Sequence, residues 1–189
     1  MKRILSALTL LFFSTAASAH TGHGASGLVT GLLHPFSGMD HLLAMLAVGL
    51  WAGQLGGRRV WRLPATFMAM LAAGAFIGMA LPDLPLIEPG IAASVLILGL
   101  LIASPTKLAL PISYALTAAF GLFHGYAHGS EMPSAAAPLA YAAGFLLATA
   151  ALHLSGIVLG NTLRVRHMTL ARMLGMGIAL SGAWLLTAA

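Results

Sequence analysis

With 189 residues, 59% of them hydrophobic and 7% charged, the chain cannot cover a folded surface with solvated groups, which excludes an ordinary soluble domain. Its formal charge of +5 comes from a few basic residues scattered through short connecting segments, so it marks no nucleic-acid surface. There is no cysteine, which excludes disulfides, thiolate metal sites and cysteine catalysis and leaves nitrogen and oxygen as the expected metal ligands.

In chain order, Lys2 and Arg3 come first, then an apolar core, then Ala17-Ser18-Ala19. These are the n-region, h-region and small-x-small site of a cleaved signal peptide covering 1–19. Cleavage there makes His20 the mature N-terminus. Its free amine and imidazole, with His23 close behind, either chelate a metal together or simply belong to a polar leader. The rest, 20–189, is expected to be an all-α polytopic membrane domain of six transmembrane helices. The spans fall at approximately 36–56, 63–81, 87–104, 112–130, 136–159 and 170–188, each near the ~20 residues that cross the hydrocarbon.

The first span opens on His34-Pro35-Phe36-Ser37-Gly38-Met39-Asp40-His41. Pro35 suits a first helical turn, where its missing amide proton is not needed. His34 and His41 are seven apart and share a face if the helix extends that far. Gly38 between them admits either a close backbone neighbour or a local break. A carboxylate at the mouth of an apolar span is costly unless it is paired, hydrated or metal-bound.

Gly56-Gly57-Arg58-Arg59 ends the first span and Pro82-Asp83-Leu84-Pro85 the second. Ser104-Pro105-Thr106-Lys107 and Pro111 separate the third and fourth, and Asn161 through Arg166 follows the fifth. The fourth span ends in Phe123-His124-Gly125-Tyr126-Ala127-His128-Gly129-Ser130-Glu131. His124 and His128, four apart, lie on one face, and Glu131 is three residues beyond. His153 in the fifth span is either a deeper station on a path inward or a hydrogen-bonded core histidine. Glycines recur every fourth residue at Gly49, Gly53 and Gly57, at Gly74 and Gly78, and at Gly121, Gly125 and Gly129. Such stripes let neighbouring helix backbones approach closely. The methionines read as gap-filling core residues rather than a copper pathway.

A cleaved leader puts the mature N-terminus outside. Arg58, Arg59, Arg62, Lys107, Arg164, Arg166 and Arg172 then all face the cytoplasm, as the positive-inside rule requires. Both termini are periplasmic, in the inner membrane of a bacterium. Asp83, Glu88 and Glu131 fall outside, in loops or at span ends. His34, Asp40, His41, His128 and Glu131 therefore gather toward the outer leaflet, with His124 about a turn deeper. Two three-span halves would run in opposite directions, so an inverted repeat is available.

A polar network that only locks helices together accounts for one histidine, but poorly for several polar groups on two spans at the same end. Metal handling is the better reading. Imidazole and carboxylate without thiolate suit divalent nickel, cobalt or zinc. An enzyme is not expected. Gly125 stands where the glutamate of a His-Glu-x-x-His motif belongs, and there is no Gly-x-Ser-x-Gly and no phosphate-binding loop.

His34-Pro35-x-x-Gly38-x-Asp40-His41 behind a cleaved leader, together with Phe123-His124-Gly125-Tyr126-Ala127-His128-Gly129 and Glu131, resembles the HupE/UreJ family of hydrogenase and urease accessory proteins. The similarity covers essentially the whole mature chain. It implies a secondary permease for nickel, in some members cobalt, that supplies hydrogenase or urease maturation. By the same resemblance the metal contacts fall on His34, Asp40, His41, His124, His128 and Glu131. The His-Asp-His arrangement is also similar to the signature of larger nickel/cobalt permeases, in which the histidine stands one residue closer to the Asp-His pair. The alternative is a membrane metal-binding accessory protein that does not transport.

Overall fold

The computed structural model describes residues 27–81, 84–104, 107–131 and 137–188. The expected signal peptide 1–19, His20, His23 and Asp83 lie outside these. Among the described residues there are helices and no strand: α1 Gly27–Leu33, a 3-10 turn His34–Phe36, α2 Met39–Leu55, α3 Arg59–Ala80, α4 Ile87–Ala103, α5 Leu110–Ser130, α6 Pro138–Arg166 and α7 Met168–Ala188.

α3, α6 and α7 are each long and apolar enough to cross a membrane, and α1 with α2 passes the same test as one broken span. That makes three candidate spans, or four with the bent pair. α4 is apolar but shorter, at 17 residues. α5 has the length, at 21 residues, but its outer half carries His124, Tyr126 and His128, all buried against other helices. A helix enclosed by its neighbours does not need an apolar surface of its own. The outward faces of α6 and α7 present Leu147, Val158, Met173, Leu180 and Trp184, a surface suited to lipid rather than water. Several methionines lie on such faces too; among the described residues Met45, fully buried, is the one that fills the centre of the core as the sequence suggests.

Two expected boundaries move. The first span is not one straight helix: α1 and α2 meet at 81°, with the break at Ser37-Gly38. Ser37 closes the preceding turn, its amide and hydroxyl both donating to the His34 carbonyl, and Gly38 is extended. His34 and His41 consequently do not share a helix face. The helix of the fifth expected span, α6, also runs past its expected end near 159, through Asn161 and on to Arg166. That stretch holds neither proline nor a terminal glycine to stop it, and arginines in a last turn complement the helix dipole.

The closest packing joins α3 to α5, α4 to α7, and α6 to both α1 and α2. The glycine stripes explain these choices. A Cβ added at Gly121, Gly125 or Gly129 would run into the backbone carbonyls of Phe67, Leu71 and Ala75, and one at Gly74 or Gly78 into Leu122 and Tyr126. The same reciprocal fit links Gly49 and Gly53 of α2 with Gly156 and Gly160 of α6. Backbones at this separation leave no room for side chains, so register is set by where glycine stands. Gly56 and Gly57, both at positive φ, turn the chain between α2 and α3 as glycine readily does.

The two ends of the bundle differ in chemistry. One collects the basic residues: Arg59 donates to the Leu108 carbonyl at 3.4 Å, and the Arg164 guanidinium lies over Gly56. The other holds His34, His41 and His128 with the carboxylates of Asp40, Glu88 and Glu131.

Candidate metal centre

Asp40 sits in the first turn of α2, where a helix N-terminus favours negative charge. Its Oδ1 accepts from the His41 amide at 2.8 Å and from His41 Nδ1–H at 2.7 Å. Gly38 makes this possible: a Cβ there would stand 2.6 Å from Asp40 Oδ1 and 3.0 Å from His41 Nδ1. With the proton held on Nδ1, the neutral ring presents a lone pair at Nε2. That nitrogen is buried and has no hydrogen-bond partner among the described residues.

α5 repeats the device one level deeper. His124 Nδ1–H donates to the Phe120 carbonyl at 2.8 Å, four residues back. A carbonyl only accepts, so the proton is on Nδ1 and the buried, unpartnered Nε2 carries the lone pair. His128, one turn further out, has neither ring nitrogen partnered among the described residues and is 3% exposed. An unpaired buried polar atom costs about 1–3 kcal/mol, so this concentration points to function.

The bend after α1 returns His34 to the same place. His34, His128 and Glu131 each offer a ligand atom, and these atoms all lie within 4.8 Å of one another. His34 Nε2 is 3.9 Å from Glu131 Oε2. His128 is central: its ring centroid lies 4.7 Å from His34 and 4.3 Å from His41. His41 and His124 are 5.2 Å apart in turn. All six principal residues expected from the sequence are thus brought to one end of the bundle, forming a carboxylate-rimmed mouth above a column of imidazoles.

A polar cavity of about 210 Å³ opens above them, bounded by His34, Asp40, His41, His128, Glu131 and Glu88. Glu88, in the first turn of α4, is the residue sequence reasoning left among the outer span ends. No spacing rule ties it to ligands on other, distant helices. Its signal was compositional: it is one of only four acidic residues in the chain. A second, almost wholly apolar cavity of about 190 Å³ touches His128 from the side, between Leu71, Phe76, Met79, Leu139 and Phe145. Phe145 packs on His128 at 4.1 Å and Tyr141 on His34 at 5.6 Å, so α6 walls the imidazoles in.

His153 does not join this cluster. It lies deeper on α6, 1% exposed, and packs on Phe67, the ring that also packs on His124. It is not the hydrogen-bonded core histidine that was one alternative, because both its ring nitrogens lack a partner among the described residues. Ser94, Ser113, Thr117 and Ser155 hydrogen-bond to backbone carbonyls within their own helices or the residue just before them.

Comparison with known proteins agrees with the two motif blocks. The family model described as HupE / UreJ protein matches residues 8–185. "Protein HupE" of Rhizobium leguminosarum bv. viciae is 43% identical over 186 residues, covering 97% of this chain and 97% of that protein. No solved structure matches. A match that runs through both histidine blocks and across nearly the entire chain leaves one assignment: this protein belongs to the HupE/UreJ family.

Proposed function

We propose that the chain is a secondary permease for divalent nickel, with cobalt and zinc as alternative ions, in the inner membrane of a bacterium. Six spans follow a cleaved leader and both termini are periplasmic. The observation that carries this reading is the meeting of His34, His128 and Glu131 donor atoms within 4.8 Å, at the end of the bundle opposite the arginines. Imidazole nitrogen with carboxylate oxygen is a donor set for borderline divalent ions. The family relationship supports delivery to hydrogenase or urease maturation.

A hydrated cation enters the cavity and meets Glu88, Asp40 and Glu131, whose charge offsets its own. It sheds water to the imidazoles of His34 and His128. Asp40 acts largely through His41, holding its proton on Nδ1 so that Nε2 faces the ion. His124 receives the ion one level below. Each contact must stay weak enough for onward release. The N-terminal His20 and His23 would meet metal first, outside. Protons compete for the same lone pairs, so uptake should fall as the pH is lowered.

The test is nickel-63 uptake into cells lacking their own nickel transporters, comparing wild type with Asp40→Ala, His41→Ala and Glu131→Gln at matched membrane levels. Saturable uptake abolished by the substitutions supports the permease. Uptake no greater than the empty-vector control, with correct insertion, would replace it with a metal-binding accessory that does not transport.

A further inference from the structure

Between the outer cluster and the basic end lies one more set of buried heteroatoms. His153 is 1% exposed, and Thr149 and Met45 are fully buried. Thr149 and His153 are four apart on α6 and so share a face. The Thr149 hydroxyl donates to Met45 Sδ across the α2–α6 interface at 3.4 Å. One turn further in on α2, Gly49 lies against the His153 backbone. Side chains on a helix lean toward its N-terminus, which for His153 is toward the level of Thr149 and Met45. Phe67 packs on both this set and the outer cluster, with ring centroids 5.5 Å from His124 and 5.2 Å from His153.

A buried imidazole with both nitrogens unpartnered has no structural use for its polarity. Leucine would fill the same space without the desolvation cost. Thioether sulfur beside imidazole nitrogen is a donor pair for borderline and soft ions, and a poor one for magnesium or calcium.

We propose that His153, with Met45 and Thr149 beside it, is a second, inner cation station that takes a dehydrated divalent ion passed from the outer imidazoles. It rests on the permease reading for its role in transport, but its binding chemistry stands separately. The outer station is rich in oxygen and accepts a hydrated ion; the inner one offers nitrogen and sulfur. The order favours nickel over harder ions twice, by different donors.

The purified full chain in detergent is titrated with nickel, and sulfur is sought in the metal's coordination shell by X-ray absorption. With no cysteine in the chain, any sulfur seen must be methionine. The expected result is a second, weaker equivalent of nickel with a sulfur neighbour. His153→Leu removes that equivalent and Met45→Leu removes the sulfur, while outer affinity stays unchanged. Nickel-63 uptake at matched membrane levels should fall about tenfold or more in His153→Leu, with half-saturation little altered. Thermal stability of His153→Leu should be equal or higher, because an unpartnered polar group has been replaced; Met45→Leu, which conserves volume, is the second probe should that variant misfold. A single nickel equivalent in wild type, a sulfur shell that survives Met45→Leu, or undiminished uptake by His153→Leu would overturn the station. If wild type binds two equivalents yet transports nothing, the permease reading falls and the inner site stands.

Discussion

Asp40 and His41 are adjacent in the sequence, yet a single carboxylate oxygen reaches both the amide and the imidazole of its neighbour because the helix begins just before them. The consequence is a division of labour within a motif that reads, on paper, as three equivalent ligands. Asp40→Asn keeps an acceptor for Nδ1–H but removes the charge, so nickel affinity should drop by about 10–100-fold without loss of fold; calorimetric titration of the purified protein measures it. His124 and His128 were legible from their spacing alone, since four residues fix a common helix face. The approach of His34 to Glu131 was not. It depends on the bend at Ser37-Gly38 and on the depth at which α2 and α5 cross, and neither leaves a periodic trace.

At the level of elements, glycine decides which helices become neighbours. The stripes on the first, second and fourth spans were visible in the sequence, but their partners were not, because spacing names a face without naming what covers it. Gly125→Ala should destabilise the protein by about 1–3 kcal/mol, since its Cβ would press on the Leu71 carbonyl and force α3 and α5 apart. Because His124 and His128 flank Gly125, metal binding should weaken in the same variant. A methyl group added at Gly177 on α7 would meet nothing within 4 Å, so Gly177→Ala should be neutral or stabilising by up to about 1 kcal/mol. Thermal unfolding of the two variants in one detergent separates close packing from composition. Helix positions themselves were readable from runs of apolar residues, except for α1, which precedes the first expected span, and where α6 continued through polar residues that a hydropathy pattern counts as loop.

For the whole molecule, charge and packing describe the same axis. Basic side chains occupy one end, and the carboxylates with His34, His41 and His128 the other, a polarity that fits insertion in a single orientation. The native absence of cysteine gives a clean background for testing it: Glu88→Cys should react with an impermeant thiol reagent from the periplasm, and Arg166→Cys only after the membrane is breached. The reverse pattern would invert the topology. The three most extensive packings among α2–α7 also follow a rule. Exchanging α2–α4 for α5–α7 turns the α2–α6 pair into α5–α3 and leaves α4–α7 as itself. Two oppositely oriented three-helix halves have this relation.

None of those closest pairs joins helices that are consecutive in the chain, and this bears on biosynthesis. Every residue of the candidate outer site, from His34 to Glu131, has been made before α6 begins at Pro138. Yet Tyr141 and Phe145, which wall in His34 and His128, and the surface that seats α2 all belong to α6. A nascent chain halted just short of Pro138 would therefore carry the ligands without the enclosure that holds them. On the proposed permease reading, metal competence would arrive late in synthesis, with α6, and half-made chains would lack the enclosed site.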